Sequence, residues 1–271
     1  MRSPQGRLWR WRRRLAARLL VPPAGPWDEE GSNEAPPVLL DYPNTEIWLR
    51  ATSLPELRWR ARSCAKEPWT VRWIEDSIRK GEVLYDIGAN VGTFALLAAR
   101  SRGATVVAFE PGYANFARLC ENIQLNDCGG AIVPVPLPLS DAPGLVPFKY
   151  RSLEPGQSRH ALGDGPFVAK RRGGVRFVQP VCTTTLDRAV ADFGLAAPHH
   201  MKIDVDGSEL RVLRGASAVL RGAQLRTILI ESDAGDWDAL AGQLTGAGFA
   251  LQARHDRPGK DDAPSYGLWT R

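Results

Sequence analysis

Residues 85–111 contain a glycine-rich turn between two apolar segments, and this pattern constrains the fold more than any other part of the chain. The apolar segment 83–87 leads into a turn with Gly88 and Gly92, a helical pattern follows, and a second apolar segment ends at Glu110. Such a strand–turn–helix–strand unit is typical of domains that bind an adenosine-bearing cofactor. The glycines permit a tight turn, and Glu110 lies near the spacing at which an acid reaches ribose hydroxyls.

The spacing of these glycines favours one class of cofactor over two others. From Asp86 the turn reads D-x-G-x-N-x-G, whereas a dinucleotide-binding fold needs glycine at the positions of Asn90 and Thr93. The turn also lacks the pattern of a phosphate-binding P-loop. An acid two residues before the first glycine is similar to motif I of S-adenosylmethionine-dependent methyltransferases, where it helps to hold the methionyl end of the cofactor. The alternative is an ordinary turn without a ligand.

The rest of the chain alternates between short apolar segments and helical patterns, which is typical of a doubly wound, mostly parallel α/β sheet. Strands are predicted at 82–87, 105–110, 131–137, 200–205, 226–231, 247–253 and 266–270. Helices are predicted at 92–101, 112–124, 185–193, 208–220 and 236–246. Only a short loop separates the last two strands, so we expect them to pair as an antiparallel hairpin at the sheet edge.

Composition divides the chain into three regions. Residues 1–43 combine a basic tail with a Pro-rich linker and are expected to be poorly ordered, and 44–80 form an N-terminal extension of the domain at 81–271. In the extension, a helix that begins at Pro68 is expected to dock its indole side chains on the core. Within the domain, an insertion at about 142–182 starts where ligands of such sheets bind.

The insertion contains two predicted strands and a loop that could bind an anionic substrate. The strands are Leu145–Tyr150 and Val175–Val181. Four cationic side chains lie between or at the start of them: Lys170, Arg171, Arg172 and Arg176. A solvated loop is the alternative interpretation.

Net charge and cysteine content indicate which partners the basic tail could contact and which redox compartment the protein occupies. The net charge is +5, but residues 1–20 carry seven arginines and no acid, so the remainder carries 5 − 7 = −2. The tail could contact an anionic membrane surface or nucleic-acid phosphates, or it could be solvated. The four cysteines show no metal-ligand spacing, which favours reduced thiols in a cytoplasmic protein without a zinc site.

A second polar cluster, at residues 201–210, indicates where chemistry takes place. A predicted strand ends with Asp204 and Asp206, which alternate by two and so share a face if the strand continues. A carboxylate can accept the proton that an alcohol loses during methyl transfer. Two acids could instead hold Mg²⁺ together with Glu231, and a simple helix N-cap turn at Asp206 is a third alternative.

Together these segments resemble the FkbM family of methyltransferases over roughly residues 60–235. The matching pieces are EPWTVRWI, YDIGANVGTFALLAA, VVAFEPGYANFARLCENIQLN, TTLD, MKIDVDGSELRVLRGA and ILIE. The resemblance implies a class I Rossmann-like fold, S-adenosylmethionine as methyl donor, and O-methylation of a hydroxyl on a sugar, polyketide or other natural product. The family more often has Glu and Ala where this chain has Asp206 and Ser208.

The resemblance also implies roles for individual residues. Cofactor binding would fall to Asp86, Gly88, Ala89, Asn90, Gly92, Glu110, Pro111, Ser140 and Asp141. Catalysis at the acceptor would fall to Asp204, Asp206 and Glu209.

The leading hypothesis is an O-methyltransferase that acts on a small molecule, sugar or natural product. An RNA methyltransferase that uses the arginine tail is the second hypothesis, but nucleic acid is not the expected substrate because no RNA-binding module is recognisable. The third is a catalytically inactive, cofactor-binding partner protein, which the acids at both strand ends argue against.

Overall fold

A seven-stranded sheet forms the centre of the protein in the computed structural model, which describes residues 35–163, 174–256 and 264–271. The arginine-rich tail and the cations at 170–172 lie outside these residues. No helix in the described part of the chain is long and apolar enough to cross a bilayer.

The strands and helices follow the predicted alternation in chain order. The strands are β1 (Val38–Leu39), β2 (Trp48–Leu49), β3 (Val83–Ile87), β4 (Thr105–Phe109), β5 (Ile132–Val135), β6 (Gly144–Tyr150), β7 (Ala161–Leu162), β8 (Phe177–Thr183), β9 (His200–Ile203), β10 (Thr227–Ser232), β11 (Ala250–His255) and β12 (Ser265–Thr270). The helices are α1 (Glu56–Arg60, a π-helical turn), α2 (Ser63–Lys66), α3 (Pro68–Ser77), α4 (Thr93–Arg102), α5 (Tyr113–Leu125), α6 (Leu186–Phe193), α7 (Glu209–Arg214), α8 (Ser217–Arg221) and α9 (Trp237–Gly246).

The central sheet has the order β11-β12-β10-β9-β3-β4-β5. Strands β10, β9, β3, β4 and β5 are parallel, and β12 runs antiparallel to both β10 and β11. The middle strands β3 and β9 are buried along their whole length because helices cover both faces of the sheet. The doubly wound α/β fold and the antiparallel edge hairpin are therefore confirmed.

Helix α3 docks on one face of the sheet, as its indole pattern predicted. Trp73 and Ile74 are buried, and the Trp73 Nε1–H donates a 2.9 Å hydrogen bond to the Thr227 hydroxyl. His200 is buried in the same region. Its ring nitrogens contact Thr227 at 2.7 Å and Glu82 at 2.9 Å.

Three local features differ from the sequence predictions. Residues 38 and 39, placed in the linker, instead pair with β2, and Leu40 and Tyr42 beside them are buried. The single helix predicted at 208–220 is divided into α7 and α8 near Gly215, where a Cβ would lie 2.1 Å from the Ser140 carbonyl oxygen. Strand β9 ends at Ile203, two residues earlier than predicted.

The insertion forms a small antiparallel sheet of its own, with the order β7-β6-β8. Its core consists of Phe148, Tyr150, Leu162 and Val181. Strand β7 was not predicted, since two residues are too few for a recognisable alternation.

Candidate active site

The glycine turn after β3 packs against the end of β9. Gly88 has a φ of +87°, and a Cβ on it would lie 1.9 Å from the carbonyl oxygen of Asp204. Gly92 has a φ of +86°, and its Cβ would lie 2.5 Å from the Leu119 side chain. Both positions require glycine for conformational and steric reasons together. The start of α4 and the carboxyl end of β9 therefore meet at one edge of the sheet.

Asp86, the last polar residue before this turn, is a buried carboxylate. It is 1% exposed, and its oxygens have no hydrogen-bond partner among the described residues. Burial raises the pKa of Asp86 to about 6, although Lys202 Nζ lies 4.0 Å from Oδ1. A buried acceptor of this kind is costly unless a ligand supplies a donor. The α-ammonium group of S-adenosylmethionine is such a donor, so the residues present fit that cofactor.

Glu110 links the end of β4 to the glycine turn. Its carboxylate accepts hydrogen bonds from the backbone N–H groups of Asn90 at 2.8 Å and Gly112 at 2.7 Å. The N–H of Ala89 donates to the carbonyl of Phe109 at 3.0 Å, which ties the turn to the same strand end. Burial raises the pKa of Glu110 to about 7. The acid therefore lies next to the turn, as its spacing predicted.

A small apolar cavity of about 40 Å³ opens beside the turn at the carboxyl ends of β3 and β4. It is lined by Ile87, Gly88, Phe109, Pro111, Leu137, Pro138, Leu139, Phe148, Leu162, Val205 and Ser208. Of the residues predicted to bind the cofactor, Gly88 and Pro111 line this cavity but Ser140 and Asp141 do not. Asp141 instead accepts hydrogen bonds from the Ser140 hydroxyl at 3.0 Å and from Arg211 at 3.1 Å.

Asp204 follows the carboxyl end of β9 and is held by two side chains. Its Oδ2 atom lies 3.1 Å from Lys202 Nζ and accepts a 2.9 Å hydrogen bond from the Tyr266 hydroxyl. Burial alone would raise the pKa of Asp204, but the Lys202 ammonium, a hydrogen bond with Glu231 and the charge of Lys66 together lower it. Asp204 is therefore ionised across the neutral pH range.

Asp206 does not share a strand face with Asp204, so that prediction is wrong. The strand has already ended, and Asp206 has a left-handed φ of +58°. Its Oδ2 accepts a 2.5 Å hydrogen bond from the backbone N–H of Arg159, whose φ is +67°. Burial, with a further contribution from the charge of Asp204, raises the pKa of Asp206 to about 6. Non-glycine residues in this conformation are uncommon and concentrate at functional sites.

Glu209 begins α7 and folds back onto the turn that precedes it. Its carboxylate accepts hydrogen bonds of 3.0 Å from the N–H groups of Val205 and Gly207. Burial raises the pKa of Glu209 to about 8. These contacts fix the turn that carries Asp206.

The alternative of a magnesium site is not supported. Among residues 35–163, 174–256 and 264–271, no group of three or more His, Cys, Asp or Glu side chains could hold a metal ion. The Lys202 ammonium already lies beside Asp204, which explains why Asp204, Asp206 and Glu231 do not form a cation site.

A segment of the insertion covers the turn. The backbone carbonyl of Gln157 accepts hydrogen bonds from the side-chain amides of Asn90 at 2.8 Å and Asn115 at 3.0 Å. Arg60 of the extension donates from Nε to the Gly156 carbonyl at 2.8 Å. The extension and the insertion thus meet above the acids at the sheet edge. Arg176, one of the predicted substrate-binding cations, is exposed at the start of β8.

This combination of a doubly wound sheet, a hairpin edge and acids at two strand ends defines a class I methyltransferase fold. The family model described as the methyltransferase FkbM domain matches residues 86–250. The chain belongs to the FkbM methyltransferase family.

Two relatives agree with this assignment, and one solved structure shares the fold. The hexuronic acid methyltransferase AglP of Haloferax volcanii is 28% identical over 177 residues, which are 65% of this chain and 66% of that protein. The 31-O-demethyl-FK506 methyltransferase FkbM of Streptomyces tacrolimicus is 28% identical over 202 residues, or 66% of this chain and 76% of that one. The METTL16 methyltransferase domain shares the fold with a TM-score of 0.50 and 13% identity, covering 83% of this chain and 73% of that one.

Proposed function

We propose that this protein is an S-adenosylmethionine-dependent O-methyltransferase that acts on a hydroxyl of a small molecule, sugar or natural product. The observation that carries the proposal is the juxtaposition of the glycine turn with Asp204 at the end of β9. It puts a candidate cofactor pocket and a candidate acceptor site at one edge of the sheet, where ligands of open α/β sheets bind.

The cofactor would be held by residues from two strand ends. Asp86 would bind its ammonium group, and the turn at Gly88–Gly92, including Ala89 and Asn90, would let the methionyl end approach the backbone closely because its glycines carry no Cβ. Glu110 would bind the ribose hydroxyls, and the apolar cavity at Pro111 would take the adenine. Ser140 and Asp141 would lie at the edge of that pocket. When bound, the cofactor supplies an electrophilic methyl group on a sulfonium centre.

The acids beyond β9 would act on the acceptor. Asp206 would accept the proton that the acceptor hydroxyl must lose, since its raised pKa lies close to the operating pH. Asp204, kept ionised by Lys202, would stabilise positive charge near the acceptor. Glu209 would hold the turn in place, so that the acceptor oxygen is positioned for in-line displacement.

The names of the relatives support the class of acceptor molecule. One is named for a hexuronic acid and another for the 31-O-demethyl form of a natural product. Both kinds of molecule carry hydroxyl groups that could accept a methyl group. A hydroxyl on a sugar or natural product is therefore the acceptor that we propose here.

Calorimetric titration followed by a transfer assay tests this function. The purified full chain is titrated with S-adenosylmethionine and S-adenosylhomocysteine, and labelled methyl transfer is then measured to uronic acids, neutral glycosides, macrolide alcohols and RNA. We expect cofactor binding, and base-stable methyl ether formation on an alcohol. The Asp86→Asn variant should bind S-adenosylmethionine at least tenfold more weakly, because it loses a charged hydrogen bond.

Distinct results would contradict distinct parts of the proposal. No uptake of either cofactor at millimolar concentration would exclude the methyltransferase activity altogether. Uptake without transfer to any acceptor would favour an inactive binding protein, and transfer to RNA alone would favour the nucleic-acid alternative.

A further inference from the structure

Exposed apolar and cationic side chains cover the outer side of the N-terminal extension. The apolar members are Leu54, Leu57 and Trp59, which are 63%, 41% and 51% exposed. The cationic members are Arg58, Arg62 and Lys66. These six residues are called the extension patch below. Several large apolar side chains exposed within one short segment commonly mark an interaction site.

No exposed acid interrupts the extension patch. The two acids between residues 54 and 67, Glu56 and Glu67, are 1% and 3% exposed. Glu56 pairs with Arg118 at 2.8 Å, and Glu67 pairs with Lys66 at 3.0 Å. Arg58 and Arg62 therefore carry the net positive charge of the patch.

Helix α3 anchors the extension on the sheet through Trp73 and Ile74, while polar contacts, rather than the apolar members of the patch, hold the segment that carries the patch. The Asp41 carboxylate accepts hydrogen bonds from the N–H groups of Cys64 at 2.9 Å and Ala65 at 2.8 Å. The Ser53 hydroxyl donates to the Pro155 carbonyl at 2.7 Å. An amphipathic segment normally turns its apolar side chains toward the core, but this one leaves them in solvent. Their exposure is therefore fixed by the fold.

We propose that the extension patch docks the protein on a bilayer that contains anionic lipids. Leucine and tryptophan can enter the boundary between headgroups and acyl chains, while arginines beside them reach lipid phosphates. The sequence upstream has the same composition, with seven arginines, Trp9, Trp11 and no acid in residues 1–20. Because the remaining chain carries a net charge of 5 − 7 = −2, attraction to an anionic surface is concentrated at this end.

A bilayer fits these side chains better than two other partners do. RNA would be bound through cations and aromatic stacking, to which Leu54 and Leu57 contribute little. A second copy of the chain would need roughly 800 Å² on each side for a stable interface, far more than three side chains provide.

Vesicle flotation with the full chain tests the proposal. The vesicles are pure phosphatidylcholine or contain about one third phosphatidylglycerol, which supplies the anionic surface. The variants are Leu57→Ser/Trp59→Ser in the patch and Phe193→Ser as a control, since Phe193 is also 51% exposed but lies on α6. We expect the wild type and the control to float with the anionic vesicles. The patch variant should partition about tenfold more weakly, because apolar burial supplies much of interfacial binding.

Other outcomes would overturn the proposal. Equal flotation of wild type and patch variant would assign binding to the tail alone. A change in oligomeric state of the patch variant in light scattering would assign the patch to a second copy, and loss of RNA binding with unchanged flotation would assign it to nucleic acid. Thermal melting of each variant shows whether it has folded. The Arg58→Gln/Arg62→Gln variant, which keeps the apolar surface, should float less than the wild type at low salt, and its flotation should fall less steeply as salt rises.

Discussion

At the residue scale, one ammonium group decides how the acids of the site are charged. Lys202 is 3% exposed and lies 3.1 Å from Asp204 and 4.0 Å from Asp86. The pKa of Asp204 is lowered by this contact, whereas Asp206 keeps a pKa raised to about 6 by burial. Because a catalytic base works best when its pKa lies near the operating pH, Asp206 is the better base of the pair.

Replacing Asp206 should remove catalysis and leave cofactor binding in place. We expect Asp206→Asn to lower kcat by about 10² to 10⁴, the usual contribution of a general base. Affinity for S-adenosylhomocysteine should stay near the wild-type value, since the assigned cofactor residues are unchanged. The matched control is Asp192→Asn, an exposed acid of α6 that should keep full activity. Unchanged kcat in Asp206→Asn would show that another group accepts the proton.

Replacing Lys202 should destabilise the protein more than replacing the ion pair as a whole. Lys202→Met leaves the buried Asp86 and the partly buried Asp204 without their cation, and breaking a buried pair typically costs about 3–5 kcal/mol of unfolding free energy. The double variant Lys202→Met/Asp204→Asn removes one of those charges and should recover part of the loss. Urea unfolding measures both. A double variant less stable than the single one would contradict this account of the cluster.

At the element scale, the turn between β3 and α4 determines how closely β9 can approach. A side chain at Gly88 would meet the carbonyl of Asp204 at 1.9 Å and would also be strained at a φ of +87°. The position of the acidic loop therefore depends on a residue more than a hundred positions earlier in the chain.

Two Gly→Ala variants should show whether the loss of stability at Gly88 comes from its position in the turn or from replacing any glycine. Gly88→Ala is expected to cost at least about 1–3 kcal/mol for the backbone strain alone and to reduce activity by shifting β9. Gly242→Ala in α9, where nothing lies within 4 Å of the new Cβ, should instead be neutral or stabilise by roughly 0.5–1 kcal/mol. Thermal unfolding and cofactor titration of both variants provide the measurement. Equal behaviour of the two would contradict the steric argument.

The sequence predicted this sheet and turn because the signals are local. The apolar segments of β3, β4, β9 and β10 and the spacing from Gly88 to Glu110 can be read within a few dozen residues. The contacts of the acids cannot, because their partners are remote: Tyr266 is 62 residues from Asp204, and Arg159 is 47 from Asp206. The early end of β9 was missed because Asp204–Asp206 continue the alternation that a strand would show.

At the scale of the whole molecule, the extension and the insertion are joined above the sheet edge. Arg118 of α5 pairs with the buried Glu56 at 2.8 Å, and the carbonyls of Pro155 and Gly156 accept hydrogen bonds from Ser53 and Arg60. Neither region has a large core of its own, so each depends on the other and on the sheet. The site is consequently enclosed on several sides, and its acids Asp86, Glu110 and Glu209 are buried.

Because Glu110 and Glu209 are buried, the free energy of unfolding should fall as pH rises from about 6.5 to 8. Burial raises the pKa of Glu110 to about 7 and of Glu209 to about 8, against about 4.3 in an unfolded chain. The folded protein therefore binds protons in this window that the unfolded chain has already released, and proton uptake on folding means that higher pH favours unfolding. The buried His160 and His200 have lowered pKa values, so their opposite contribution is confined mainly to lower pH.

Urea unfolding at several pH values between 6.5 and 8 measures this dependence. Each extra proton on the folded protein contributes a slope of up to about 1.4 kcal/mol per pH unit. The Glu209→Gln variant keeps a carbonyl that can accept from the Gly207 N–H but cannot titrate, so its slope should be shallower and its stability at pH 8 should match or exceed that of the wild type. Parallel slopes in the two proteins would mean that Glu209 is already ionised at neutral pH. The sheet edge would then carry one more negative charge near Asp206. That charge would raise the pKa of Asp206 further, so the acid limb of the kcat–pH profile would move to higher pH.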